Sequence, residues 1–209
     1  MPSIVACAKT TPPRDRVREV AAGLFADRGL DGFKMRDLAA RLGVSVMTPY
    51  RYFENKEAIL ACVRAHGFAC LADDLDGALG EGPLERRVAA LAAAYGAFAL
   101  AEPARYGLMF GPAPARSPGM ADVRRQEARV EAAFTAHAQG LAEAGLTCAE
   151  PATLGRLLWS TLHGVAVLHL GGQLPQADLG EALRHAARAL TLASAGPAST
   201  GPASAGVAA

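Results

Sequence analysis

The chain has 209 residues, 51% of them hydrophobic and 20% charged, with 21 Lys and Arg against 20 Asp and Glu. That length suits one large domain or two small ones, and the charge balance excludes a charge-driven disordered chain and a polybasic tail protein. The four cysteines, Cys7, Cys62, Cys70 and Cys148, lack C-x-x-C spacing and the density of a stapled secreted domain, so reduced thiols in a cytoplasmic protein are expected.

Residues 1–12 read as a flexible N-terminus, since the apolar stretch from Ile4 to Ala8 is too short for a signal-peptide core. Val17, Val20, Ala21, Leu24 and Phe25 recur at helical spacing between Pro13, suited to a first turn, and Gly29, suited to a stop, which predicts a helix over about Pro13 to Arg28. Met35, Leu38, Ala39 and Leu42 predict a short second helix ended by Gly43. A third begins near Ser45 and carries Tyr50 and Phe53, and a fourth runs from about Lys56 to Leu75. A Gly-rich linker, Gly77 to Pro83, precedes helices at about Leu84 to Ala101 and Pro103 to Phe110. A Pro/Gly/Ser loop from Gly111 to Gly119 leads into helices at Met120 to Ala144, Pro151 to Leu170 and Gln176 to Ala193. No alternating β-branched pattern appears, so the fold expected is all-α with about nine helices. From residue 196 the composition cannot bury enough surface to offset chain entropy, and a disordered tail is expected. Leu157 to Ala177 lacks formal charge and is long enough to span a bilayer, which takes about 20 helical residues. Its Ser160, Thr161, His163, His169, Gly171, Gly172 and Pro175 favour a buried helix ending in a turn.

Charge is uneven along this order. Lys9 to Lys56 carries a net +4 and the remainder a net −3, as a basic head on a near-neutral helical body would. Within the head, Leu38-Ala39-Ala40-Arg41-Leu42-Gly43-Val44-Ser45 has helix-turn-helix grammar: a small residue where helices cross, a glycine for a left-handed turn, and a serine able to cap the next helix. An ordinary helical hairpin uses similar residues. Next come Thr48, Tyr50, Arg51, Tyr52, Asn55 and Lys56, a polar, aromatic and cationic face suited to phosphate oxygens and base edges.

Gly29, Arg36-Asp37-Leu38-Ala39, Gly43-Val44-Ser45 and the run Tyr50-Arg51-Tyr52-Phe53-Glu54-Asn55-Lys56-Glu57-Ala58-Ile59-Leu60 resemble the DNA-binding domain of the tetracycline-repressor (TetR) family, over roughly residues 14 to 62. The resemblance implies a three-helix head at 13–60, joined by the helix from Lys56 to a larger ligand-binding and dimerisation domain at 61–195. It implies phosphate contacts from Tyr50, Tyr52 and Lys56, and base-edge contacts from Arg36, Met47, Thr48 and Arg51, with Ser45 beside them. Two departures stand out. Lys34 replaces the usual Ser or Thr cap of the second helix, forfeiting about 1 kcal/mol but offering a cation to phosphate. Pro49 falls inside the recognition helix and is tolerable only in a first turn, so that helix can begin at Thr48-Pro49.

Leu158-Trp159-Ser160-Thr161-Leu162-His163-Gly164-Val165 is similar to the Trp-His-Gly signature of one C-terminal class in that family, whose members bind a small ligand there and dimerise through their last two helices. Trp159 and His163 share a helical face, and both a core histidine bonded to a neighbour and a ligand contact fit that position. Tyr95, Phe98, Tyr106, Met109, Phe110, Phe134 and His137 supply further aromatic and polarisable surface, either as core or as ligand lining. Leu179, Leu183, Ala186, Ala187 and Leu190 form one apolar stripe, expected to cover the core and, in a dimer, to meet its symmetry mate. His163 and His169 do not share the face an i, i+4 metal pair needs, so neither metal nor cofactor is expected.

The expected function is a homodimeric, sequence-specific DNA-binding transcription regulator, a repressor released from a palindromic operator by a small molecule. Alternatives are a helical adaptor with a basic head or a small helical enzyme. Against the latter, the sequence has no phosphate-binding Gly loop, G-x-S-x-G or H-E-x-x-H.

Overall fold

The computed structural model describes residues 13–78, 80, 83–111, 118–175 and 179–193, and every regular element among them is helical. Eight α-helices occur in order: α1 (Pro13–Gly32), α2 (Met35–Leu42), α3 (Lys56–Ala78), α4 (Leu84–Ala101), α5 (Pro103–Phe110), α6 (Met120–Glu143), α7 (Pro151–Leu170) and α8 (Leu179–Ala193). A 3-10 turn, Pro49–Arg51, stands between α2 and α3. The expected N-terminal segment 1–12, most of the loop 112–117, the start of the last helix at 176–178 and the tail beyond 195 lie outside the described residues. None of the described helices is long and apolar enough to cross a membrane.

The third helix expected from Ser45 is the main local correction. Pro49 has no N–H, so the bond from residue 49 to the Ser45 carbonyl that an α-helix requires cannot form. That carbonyl instead accepts from the Thr48 amide at 2.9 Å, and the Arg51 and Tyr52 amides donate to Thr48 and Pro49 at 3.1 Å, all at three-residue spacing. Pro49 is the first residue of the turn, as expected, but Thr48 is already in the α conformation and its side chain caps nothing. Its hydroxyl lies 3.0 Å from the Ser45 hydroxyl, so Ser45 does not cap a helix either.

The chain divides into two compact units. One takes the chain to Asp74 together with Ala97–Val130; the other takes Leu75–Gly96 together with the chain from Glu131. The linear reading, which divided the chain near residue 60, does not foresee that α5 and the first half of α6 go with the head.

In the first unit, Val17, Ala21, Leu24, Phe25, Phe33, Leu38, Phe53, Ile59, Leu60 and Val63 form the buried cluster beneath the helix-turn-helix, with Phe25 and Phe33 stacked at 4.1 Å between centroids. Gly29, at φ 69° and ψ 179°, breaks α1 where a stop is expected, and one further turn runs on to Gly32. Lys34 makes no side-chain cap at the start of α2. Gly43 ends α2 in the left-handed region. Its amide donates to Ala40 and that of Val44 to Ala39, both at 3.1 Å, which is the six-to-one, five-to-two closure that aims the chain into the recognition segment. Asn55 caps α3 by accepting from the Ala58 amide at 2.8 Å. Further along α3, the buried Arg64 donates Nε to the Met109 carbonyl at 3.0 Å and its Nη2 to that of Gly111, holding the C-terminal end of α5. Desolvation lowers the Arg64 pKa, and the carboxylate of Glu127 opposes it.

In the second unit, α7 and α8 pack together. Leu154, Leu158, Leu162 and Ala166 are buried at four-residue spacing along α7. Gly155 lets α7 approach the α6 backbone: a Cβ there would fall 2.9 Å from the Thr135 nitrogen. Leu179, Leu183 and Ala187 are also buried, at 1–2% exposure, and Leu183 reaches into the space left by Gly96. The α8 stripe therefore covers the chain's own core, as the first half of its expected role requires. Ala186 is half-buried, and the side chain of Leu190 lies outside the described residues.

Candidate nucleic-acid interface

The recognition segment turns outward over a small apolar floor. Pro49 and Phe53 are buried, while Ser45, Val46, Met47, Tyr50 and Arg51 are exposed, Met47 at 68%. An exposed run of this kind, with two apolar side chains, a phenol and a guanidinium, is unusual for solvent alone. It suits a major groove, where thymine methyl groups meet apolar side chains and guanine accepts from arginine. Thr48 and Tyr52 are half-buried beside it. They line a groove of about 110 Å³ with Arg16, Val17, Leu42 and Val44, placing two hydroxyls and one guanidinium around an apolar floor.

Ion pairing sorts the cations of the head. Arg18 is held by Asp15 at 2.6 Å and Glu19 at 3.1 Å, Arg41 by Asp27 at 2.8 Å, and Arg28 by Asp37. Arg36 is 71% exposed, with Nε 3.5 Å from Asp37. Arg14 lies over the Phe53 ring, 5.2 Å from its centroid. Arg16, Lys34, Arg51 and Lys56 have no carboxylate partner among the described residues, which leaves their charge for a polyanion. Lys56 opens α3 directly after the turn, and Lys34 precedes α2, which packs against the turn. Lys34, Arg51 and Lys56 are among the residues expected from the sequence, and Arg16 is not. Its only sequence signal was an arginine at the edge of the buried face of α1, thirty-two residues before Thr48.

The expected effector residues fall into two groups. Phe98, Tyr106 and Phe110 form a chain of rings in the first unit, with centroids 6.4 and 4.9 Å apart, continued by Phe68, 5.2 Å from Phe110. Met109, beside them in sequence, packs against Gly67. In the second unit, the ring of Phe134 stands 5.9 Å from Tyr95 and 6.1 Å from Trp159, stacked on the latter. Tyr95 Oη lies 3.4 Å from His163 Nδ1, a bond whose direction depends on the imidazole tautomer. Desolvation lowers the His163 pKa. His137 is fully buried on the same helix as Phe134. Among the described residues no cluster of three or more His, Cys, Asp or Glu side chains is placed to hold a metal ion.

An all-helical chain with this outward-turned, cation-flanked segment on a helix-turn-helix core is a DNA-binding protein of the transcription-regulator class. Residues 17–63 match the bacterial regulatory proteins of the tetR family, and residues 88–198 match the tetracycline repressor-like C-terminal domain. The chain belongs to the TetR family, and it is a DNA-binding transcription regulator rather than an enzyme. No curated protein sequence matches it. Among solved structures it is similar to a protein of unknown function from Rhodococcus sp. RHA1, at 26% identity and TM-score 0.78 over 92% of this chain and 100% of that one. The TetR-family transcriptional regulator PfmR from Thermus thermophilus shares the fold at 21% identity and TM-score 0.68, over 85% and 97% of the two chains. So does the transcriptional regulator FadR from Bacillus subtilis, solved in complex with stearoyl-CoA, at 12% identity and TM-score 0.71 over 85% and 97%.

Proposed function

We propose that this regulator is a cytoplasmic, homodimeric repressor that grips a palindromic operator and leaves it when a small molecule enters its C-terminal part. The observation that carries the DNA half of this reading is the exposed segment Ser45, Met47, Tyr50 and Arg51 beside cations that no described carboxylate neutralises. In this reading Arg51, Arg36, Met47 and Thr48 meet base edges. Tyr50, Tyr52, Lys34, Lys56 and Arg16 meet phosphates, with Ser45 holding Thr48 in place. Two such heads on one dimer engage successive major grooves, and the second engagement is effectively intramolecular.

The dimer face we assign is on α7. Leu157, Val167 and Leu168 are 47–48% exposed there, beside exposed Ser160 and half-buried Gly164, so an apolar stripe with small residues is left uncovered among the described residues. The effector reading rests on the aromatic group Tyr95, Phe134 and Trp159 with His137 and His163.

A mobility-shift assay on the DNA flanking the chain's own gene, repeated with candidate small molecules, tests the reading. A salt-sensitive, sequence-selective shift that a small molecule reverses is expected. Equal affinity for unrelated duplexes, or shifts that no small molecule changes, would remove the operator or the effector from it.

A further inference from the structure

His137 sits on α6 with no exposed surface, and neither ring nitrogen has a hydrogen-bond partner among the described residues. A neutral imidazole carries one donor and one acceptor, and leaving both unmet in an apolar interior is costly, so such a group calls for an explanation. Its surroundings sharpen the question. Arg87 of α4 lays its guanidinium over Gly140, one turn along α6 from His137. A Cβ at Gly140 would come within 3.2 Å of Nη1 and 3.4 Å of Nη2, so the glycine leaves the room in which the guanidinium rests. Arg87 Nε is itself buried and without a partner among the described residues, although the residue as a whole is partly exposed.

Two basic groups thus lie close together, and the nearby charge that acts on the imidazole is a positive one. Burial first, and then Arg87, lower the His137 pKa to about 4, and no carboxylate opposes them. The unmet donors and the excess positive charge ask for the same complement: an anion with two oxygens.

We propose that Arg87 and His137 form the polar end of the effector site and receive a carboxylate carried on an apolar body. One oxygen accepts from Arg87 Nε, and the other accepts from the imidazole N–H. Arg87 as a residue is partly exposed, which gives the anion a route from solvent along its side chain, and the apolar body meets the ring group of Tyr95, Phe134 and Trp159 in the same unit. This inference rests on the reading that the C-terminal part takes an effector, and it adds the ligand's chemical class.

The test uses the full-length protein with straight-chain carboxylates from acetate to dodecanoate, each paired with the matching primary alcohol, read by calorimetry and by the imidazole 15N signals of His137. At least one carboxylate is expected to bind about tenfold or more tightly than its alcohol and to raise the His137 pKa, which a neutral ligand does not do. Arg87→Met and His137→Leu should each abolish that preference, and the latter should raise the melting temperature of the ligand-free protein, since it removes unmet polar atoms. If no carboxylate outbinds its alcohol, or if binding leaves the His137 signals unmoved, the proposal is wrong. A neutral molecule that releases operator DNA while carboxylates do nothing would overturn this inference alone. If carboxylates bind but no small molecule releases DNA, the effector reading fails and the anion site stands.

Discussion

In the proposed reading, Arg51 and Arg16 divide the work of a cation at DNA between reading and holding. Arg51 projects from an exposed turn beside Met47, so Arg51→Ala should relax preference at one base pair per half-site, at about 1–3 kcal/mol against the operator. Arg16 faces a groove with the hydroxyl-bearing Thr48 and Tyr52, so Arg16→Ala should weaken all sequences alike. It should also make the slope of log affinity against log salt shallower by about one per half-site, with Arg16→Lys keeping the slope. Affinity titrations at several salt concentrations on the operator and its single-base variants separate the two; a change in base preference in Arg16→Ala would place that residue on a base edge. Arg51 was legible in the sequence because it lies in the motif. Arg16 was not, because nothing in a linear order brings the first turns of α1 to Thr48. The arrangement around His137 was half legible: the imidazole stood out, but Arg87 comes near it by lying over Gly140, which no spacing rule encodes.

At the scale of helices, punctuation decided what could be read. α4, α5 and α7 have the bounds that their Pro, Gly and polar flanks predict, whereas the recognition segment is shorter than its periodicity because one proline withholds one amide. Glu150 shows what such a flank contributes. Its carboxylate accepts from the amides of Ala152 at 3.0 Å and Thr153 at 2.7 Å, and from the Thr153 hydroxyl at 2.8 Å, capping α7 and holding its pKa below the ordinary 4.5. A depressed folded-state pKa gives stability that is complete above the unfolded value and is lost as pH falls through the folded pKa. Melting curves from about pH 2 to about pH 7 should therefore show a low-pH loss that Glu150→Gln lacks. Two glycines offer a contrast in packing. A Cβ at Gly155 would strike backbone atoms of Thr135 at 2.9 and 3.0 Å, so Gly155→Ala should cost about 1–3 kcal/mol. One at Gly67 meets the Met109 sulfur at 2.6 Å, the movable part of a flexible side chain, and should cost less. Thermal melts that rank Gly67→Ala as the more damaging would contradict this account.

For the whole molecule, exposure rather than apolar periodicity is what supports the surface proposed for a second copy. The α8 stripe was legible, but a stripe does not say what covers it, and the uncovered face of α7 was hidden because that helix is apolar nearly all round. Leu157→Glu with Val167→Glu should give a folded monomer by light scattering that binds operator orders of magnitude more weakly. Leu183→Glu should unfold the chain, since it would place a charge at a site 1% exposed. A dimer that survives the double substitution would exclude the α7 face. Arg64 carries a different kind of consequence, for sequence drift across generations. Because it binds the carbonyls of Met109 and Gly111, atoms that every residue type presents, the end of α5 is free to change its side chains while keeping this clamp. The arginine has no such freedom, since its planar, permanently charged fork has no isostere. Homologues aligned at these positions should show a nearly fixed arginine opposite a variable segment.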